Sequence, residues 1–234
     1  MNGLFVKEWR HLFKTMTGYV FLAMYLALSG AVFAITNLFP QSGDIKSYFS
    51  VFNTVAVLIV PILTMGSFSE ERKQKTDELL LTAPVSLTAV VLGKYLATLT
   101  IFLVPMAITL VYPLTLSIFG MDALAATVGN YLGLLLLAGA CIAMGQFLSL
   151  LTDSQFVSAM MTYSLFALCL FAGTGASMVT DPFLKNALSF LAIAKHSEGF
   201  SYGVFEAVEA VYYLSVTALF LFLNIYVLER RRLV

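Results

Sequence analysis

Long apolar runs separated by short polar segments dominate the chain. Six of these runs are long enough to cross a bilayer as a helix, which takes about 20 residues. They cover residues 18–39, 49–68, 89–119, 124–151, 156–179 and 208–228. The third and fourth runs are long enough to be tilted or kinked, and Pro105 and Pro113 lie in the third. The pattern predicts an all-α polytopic membrane protein with one transmembrane domain over residues 1–234.

The composition agrees with a membrane protein and narrows its function. The chain has 234 residues, of which 60% are hydrophobic and 11% charged, with a mean hydropathy of +0.91. A soluble core of this size does not need so many apolar side chains. The net charge is zero, which gives no sign of a nucleic-acid partner. Cys141 and Cys169 both lie in apolar runs, where we expect them to pack rather than to bind metal or form a disulfide.

The distribution of lysine and arginine predicts the orientation, because cytoplasmic loops carry the excess of these residues. With both termini inside, three basic residues fall outside, namely Lys46, Lys185 and Lys195. Ten fall inside, namely Lys7, Arg10, Lys14, Arg72, Lys73, Lys75, Lys94, Arg230, Arg231 and Arg232. An even number of spans agrees with this arrangement. We therefore expect a multi-pass membrane protein with both termini in the cytoplasm.

The segment before the first span has the pattern of an amphipathic helix. Apolar and basic residues alternate at helical spacing over residues 1–17, so that Phe5, Trp9 and Phe13 fall on one face and Lys7, Arg10 and Lys14 on the other. Such a helix lies in the inner membrane interface. We expect Trp9 and Arg10 to anchor it there, the simpler alternative being basic residues that flank the first span.

A second non-spanning segment, residues 180–207, falls outside by the charge argument but is rich in Phe, Leu and Ala. A fully solvated loop does not need these residues. We expect two short amphipathic helices that enter the outer leaflet as a re-entrant segment, broken near residues 197–202. A small extracellular helical cap is the alternative, and the sequence does not separate the two.

The most polar stretch is SEERKQKTDELLLTAPVS, residues 69–86. It places seven charges in nine positions, and one charge at the bilayer centre costs roughly 2.5–3.5 kcal/mol. We expect a short cytoplasmic helix that Ser69 caps and Pro84 ends, with a second turn that Thr76 caps. Positive-inside charge alone needs no carboxylates and no run of three leucines, so the stretch has the character of a docking element for a partner protein. A solvated loop is the alternative.

Several kinds of chemistry have no support in the sequence. There is no GxxxxGK[ST] loop for ATP, no HExxH motif, and no Asp, Glu, Lys or Arg in the middle of a span. We therefore expect no catalytic residue and no metal site. Small residues along the fourth span, among them Gly139 and Gly145, favour close packing of helices, within the chain more than between chains. An ATP-independent carrier or channel is the alternative function that the residues leave open.

The stretch EERKQKTDELLLTAPVS, followed by VVLGKYLA, resembles the corresponding cytoplasmic element of the ATP-binding cassette (ABC) type-2 permeases. The segment AKHSEGFSYGVFEAVEAVYYLSVTALFLFLNIYVLERRR is similar to the gliding-motility and copper-maturation branch of that family. One departure is Lys75, where many members have glycine. The resemblance extends over nearly the whole chain and adds to the residue-based interpretation without replacing it.

The resemblance implies the permease subunit of an ABC transporter, most simply an exporter, with six spans and a coupling helix at residues 69–86. It implies ATPase subunits on the cytoplasmic face and a second permease copy or a sister permease in the membrane. ATP and Mg²⁺ would bind to the ATPase and not to this chain. The residues that the resemblance assigns to the ATPase contact are Glu70, Glu71, Arg72, Asp77, Glu78, Leu79 and Leu80.

Overall fold

The computed structural model describes residues 8–10, 13, 16–75, 86–118, 124–178, 181–193, 196 and 207–232. All regular elements in these ranges are helices. They are α1 (Met16–Phe33, continued by a π-helical turn, Ala34–Leu38), α2 (Ile45–Thr64), α3 (Ser69–Lys73), α4 (Leu87–Ile108), α5 (Val111–Ile118), α6 (Leu124–Leu151), α7 (Gln155–Met178), α8 (Pro182–Leu191) and α9 (Ala207–Arg232). Within the described ranges, six helical stretches are long and apolar enough to cross a membrane, which confirms the predicted fold class.

The fourth span, α6, is the centre of the bundle. It packs against α2, α4, α7 and α9, and 72% of its most apolar stretch is buried, whereas α9 buries only 22% of its own. The small residues of α6 allow the neighbouring helices to approach it closely. A Cβ atom added at Gly145 would lie 2.3 Å from Thr64 Oγ1 of α2, and one added at Gly139 would lie 2.8 Å from Tyr95 Oη of α4. Gly139 and Gly145 therefore pack within the chain, as the sequence predicts.

The predicted kink in the third span is a break between α4 and α5 at Thr109 and Leu110. Pro113 has no N–H to donate to the carbonyl of Thr109, which a regular helix would bond. The Thr109 carbonyl accepts instead from the N–H of Tyr112, at 3.0 Å. The hydroxyl of Tyr131, on α6, donates to it at 2.8 Å, so the break is fastened to the central helix.

An aromatic cluster joins the first four spans. Rings from α1, α2, α4, α5 and α6 contact one another, most of them edge to face, namely Phe21, Tyr25, Phe33, Tyr48, Phe49, Phe52, Phe102, Tyr112 and Tyr131. The Ser29 hydroxyl lies 2.9 Å from Tyr48 Oη and donates to Tyr112 Oη at 3.2 Å. The cluster supplies the dense packing that helices in lipid need.

The segment before the last span contains one described helix, α8. Asp181 caps it by accepting a hydrogen bond from the N–H of Phe183, and Pro182 is its first residue. The helix packs against α7. Tyr212 and Tyr213 of α9 donate to the carbonyls of Phe190 and Ile193 and hold the end of this segment. The second expected helix falls mostly outside the described residues.

Candidate functional site

The polar groups that could meet a partner gather at one end of the bundle. We call it the charged end: residues 8–10, 65–75, 86–94, 149–155 and 228–232. It holds the part of the docking stretch that the structure describes, α3 and the two residues after it. Lys73, Gln74 and Lys75 are exposed there, and Glu70, Glu71 and Arg72 are partly buried. Lys75 has a positive φ of 55°, which ends the helical turn.

The turn that leads into α3 is fastened to α6 by Ser149. Its hydroxyl accepts hydrogen bonds from the N–H groups of Phe68 and Ser69, both at 3.1 Å, and donates to the carbonyl of Met65 at 3.0 Å. Ser149 is fully buried. These N–H groups begin a helix and have no partner within it, so Ser149 does what a capping residue does, from another helix.

The predicted cap at Ser69 is wrong. The residue before α3 is Phe68, and Ser69 is the first helical residue. The Ser69 hydroxyl donates backwards to the carbonyl of Met65, four residues earlier. A serine can bond to a preceding carbonyl or to a following N–H. Here Ser149 already supplies the acceptor for the N–H groups, so the backward bond forms.

Arg72 ties the docking stretch to the loop between α6 and α7. Its guanidinium forms an ion pair with Asp153 and donates to the carbonyl of Leu151 at 3.2 Å. Arg231, at the end of α9, donates in the same way to the carbonyl of Leu150 at 2.7 Å. The last carbonyls of a spanning helix need donors, and two arginines from different segments supply them.

A buried lysine connects three segments at this end. Lys94, on α4, has a side chain that is only 2% exposed. Its Nζ lies 2.9 Å from Glu71 Oε1, 3.2 Å from Glu8 Oε2 and 2.9 Å from the carbonyl oxygen of Ser67. It also lies 5.1 Å from the centre of the Phe68 ring. Glu71 is thus turned inwards, and Glu8 belongs to the segment before the first span.

The arrangement offers binding rather than chemistry. In the described part of the chain, no three His, Cys, Asp or Glu side chains come together as metal ligands. Arg72, Lys94 and Arg231 are paired with acidic side chains or with backbone carbonyls. What they build is a charged surface whose inner side is tied to α4 and α6.

Comparison with protein families decides the class of this molecule. The model of the ABC-2 family transporter protein matches residues 35–227. The chain belongs to the ABC-2 transporter family. It is therefore a multi-pass membrane protein and the permease part of an ABC transporter, a class whose permeases work with an ABC ATPase. No curated protein matches the chain in a sequence search.

In this ABC-2 permease, the predicted site residues divide into three groups. Glu70, Glu71 and Arg72 lie together at the charged end. Trp9 and Arg10 are helical and exposed, with the Trp9 ring 4.8 Å from that of Phe13, while the extent of the predicted interfacial helix stays a prediction. The rest lie outside the described residues, namely Asp77, Glu78, Leu79 and Leu80.

Sequence reasoning missed the role of Lys94 and the part that Glu8 plays in it. From the sequence, Lys94 counted as one of ten inward charges and as part of the stretch VVLGKYLA that resembles the family, with no partner assigned. A signal was present, because Glu8 is an acidic residue in an otherwise basic N-terminal segment, and Lys94 follows seven mostly apolar residues of α4. The sequence does not indicate that the two residues form a pair, since the pairing depends on how the helices pack.

Proposed function

We propose that this ABC-2 permease subunit exports a substrate across the bacterial cytoplasmic membrane, driven by ATP hydrolysis on a separate ATPase subunit. The observation that carries the proposal is the docking stretch at the charged end. Its outward residues are charged, and its inward residues are held by Ser149, Lys94 and the loop after α6. A partner that pushes on such a surface displaces spans rather than a loose loop.

The ATPase would contact Glu70, Arg72 and the exposed residues that follow α3, whereas Glu71, which the resemblance also assigns to this contact, is turned inwards to Lys94. Asp77, Glu78, Leu79 and Leu80 belong to this proposed surface. Trp9 and Arg10, both exposed, would anchor the N-terminal segment in the membrane interface beside it. In this proposal the chain itself catalyses nothing, and ATP and Mg²⁺ bind to the ATPase.

The complete transporter would contain two permease chains, as two copies of this one or as a pair with a sister permease. Many large apolar side chains of α7 and α9 are exposed, among them Phe171, Met178 and Phe222. Lipid or a second permease would cover them. The resemblance of residues 194–232 supports a place in the gliding-motility and copper-maturation branch.

The orientation in the proposal puts the charged end and both termini in the cytoplasm. It can be tested with single cysteines and a membrane-impermeant thiol reagent, since the native Cys141 and Cys169 are buried. Lys73 and Lys185 are both exposed and lie at opposite ends. In intact cells, Lys185→Cys should be labelled and Lys73→Cys should not. The reverse result would contradict the orientation.

Purification of the tagged chain from its host in mild detergent tests the function. We expect an ATPase subunit to come with it in equal amount. The pair of changes Lys73→Glu and Lys75→Glu should release that subunit, because both residues are exposed at the charged end, whereas Lys185→Glu, at the other end, should not. A chain that purifies alone and moves solute in ATP-free vesicles would be a carrier or channel instead.

A further inference from the structure

Lys94 differs from an ordinary lysine at the end of a spanning helix. It lies about two turns into α4, roughly 10 Å from the start of that helix. A lysine at this depth usually extends its amine to water. The amine of Lys94 ends inside the protein instead, with 2% of the side chain exposed.

The protein supplies a full set of partners for this amine. An ammonium group has three N–H donors and accepts no hydrogen bond. Three acceptors lie within 3.2 Å of Nζ: Glu71 Oε1, Glu8 Oε2 and the Ser67 carbonyl oxygen. Both carboxylates are shielded, at 20% and 10% exposure. A buried charge that loses a partner is strongly destabilised, so this set is expected to stay together.

The partners come from separate parts of the chain. Glu8 precedes the first span, Ser67 and Glu71 belong to the turn and helix after the second, and Lys94 is on the third. A further link leads into the membrane, because the Thr98 hydroxyl donates to the Lys94 carbonyl at 2.9 Å and accepts from Gln146 of α6 at 3.2 Å. One amine thus fixes the relative position of three segments and joins them to the central helix.

We propose that Lys94 is the positioning residue that makes the N-terminal segment and the docking stretch move as one body with α4. This inference rests on the proposed function, since it assigns the step between the docked ATPase and the spans. Glu8 and Glu71 are its two separable contacts. Loss of Glu8 should detach the N-terminal segment from α4. Loss of Glu71 should weaken only the link between the docking stretch and α4, since Ser149 and Arg72 still hold that stretch to α6 and its loop. Loss of Lys94 should remove both links.

Trp9 allows the first part to be tested without the ATPase. It is the one tryptophan in the chain and follows Glu8 directly. Trp9 is already 38% exposed in the native chain. We expect Glu8→Gln to raise the acrylamide quenching of its fluorescence in the purified chain above the native level, and Lys94→Met to do the same. Glu71→Gln should leave the quenching near that of the native chain, because the pair between Glu8 and Lys94 remains. Lys185→Met, which removes an exposed charge, is the control.

The second part needs the complex with the ATPase. Lys94→Met should still bring down the ATPase, since the outward residues of α3 are unchanged. The ATPase should then lose the difference in hydrolysis rate that the native permease imposes on it. Lys94→Arg should restore most of that difference, because a guanidinium keeps the charge and the donors. If Lys94→Met folds poorly, Glu71→Gln tests the same step with a pair left intact.

Two results would overturn the inference. One is unchanged Trp9 quenching in both Glu8→Gln and Lys94→Met. The other is loss of the bound ATPase from Lys94→Met at native fold stability, which would make Lys94 part of the docking surface itself. A native chain that binds no ATPase would instead contradict the proposed function, and the quenching experiment would still decide whether Lys94 positions the N-terminal segment.

Discussion

The charged end and the aromatic cluster both join other segments to α4 and α6, but they do so in different ways. In the aromatic cluster, the contacts are between rings, and the hydrogen bonds are between neutral groups such as Ser29 and Tyr48. At the charged end, side chains bond to carbonyls and to opposite charges on distant segments, as Arg72, Lys94 and Arg231 do. Under the proposed function, the charged end would transmit force to the spans and therefore needs contacts that connect segments, whereas the aromatic cluster needs only to keep its packing.

The difference follows from the surroundings of the two regions. Between helices in lipid there is little hydrophobic drive, so packing and neutral hydrogen bonds decide the association. Near water, charged side chains can also hold segments together. Exposed ion pairs contribute little to stability, and buried charges need a full set of hydrogen-bond partners. Lys94 is of the buried kind and the pair of Arg72 with Asp153 is of the exposed kind. Four substitutions test how much the contacts of the two regions contribute to stability.

The largest effect is expected from Ser149→Ala. It leaves the N–H groups of Phe68 and Ser69 buried without an acceptor, at about 1–3 kcal/mol for each group. The change should lower the free energy of unfolding in detergent and loosen α3. The matched control is Ser164→Ala, because Ser164 is exposed on α7 and bonds only backwards to Met160. Equal melting temperatures for the two variants would contradict the role of Ser149.

Gly145→Ala should be the next most damaging. The new Cβ would meet Thr64 at 2.3 Å, which forces α6 and α2 apart at an overpacking cost of about 1–3 kcal/mol. Gly175→Ala on α7 is the control, since its Cβ would lie 3.9 Å from the nearest side chain. Thermal unfolding of both variants checks the prediction. Adding Thr64→Ala should recover part of the loss by removing the closest atom.

Tyr131→Phe tests the aromatic cluster. It keeps the ring but removes the side-chain donor to the Thr109 carbonyl, which then accepts only from the N–H of Tyr112. We expect a loss of about 0.5–1.5 kcal/mol in unfolding free energy. Tyr19→Phe, at a side chain that is 60% exposed, should cost less in the same assay. A larger loss at Tyr19 would show that the break in the third span is held by something else.

The smallest effect is expected from Asp153→Asn. Asp153 is 62% exposed and its partner Arg72 is 33% exposed, and pairs of this kind contribute about 0–1 kcal/mol. The difference from the native chain should disappear in high salt, because salt screens exposed charges. The effect of Ser149→Ala should not depend on salt. A large, salt-independent loss for Asp153→Asn would remove the distinction between exposed and buried charges.

Much of the fold could be predicted from the sequence, because spans follow from apolar length. The second span shows the limit. The apolar run suggests residues 49–68, whereas α2 begins at Ile45, after the Asp44 cap, and ends at Thr64. Hydropathy does not indicate the helix cap at Asp44 or the turn at residues 65–68, because both depend on local hydrogen bonds.

The site was harder to predict for a physical reason. Single charges such as Glu71 and Arg72 could be chosen because they stand out in an apolar chain. Their partners could not, since Ser149, Asp153 and Lys94 lie far away in sequence and meet them only after the helices pack. The wrong cap at Ser69 has the same origin, because the group that satisfies the turn comes from another helix.

The most direct test of the docking stretch is a photo-crosslink. A benzoylphenylalanine placed at Lys73 or Gln74, both exposed at the charged end, should form an adduct with an ATP-binding subunit in the host membrane. The same residue at Lys185, exposed at the other end, should not. An adduct from both charged-end positions alone would support the account. No ATPase adduct there, or an equal adduct from Lys185, would contradict it.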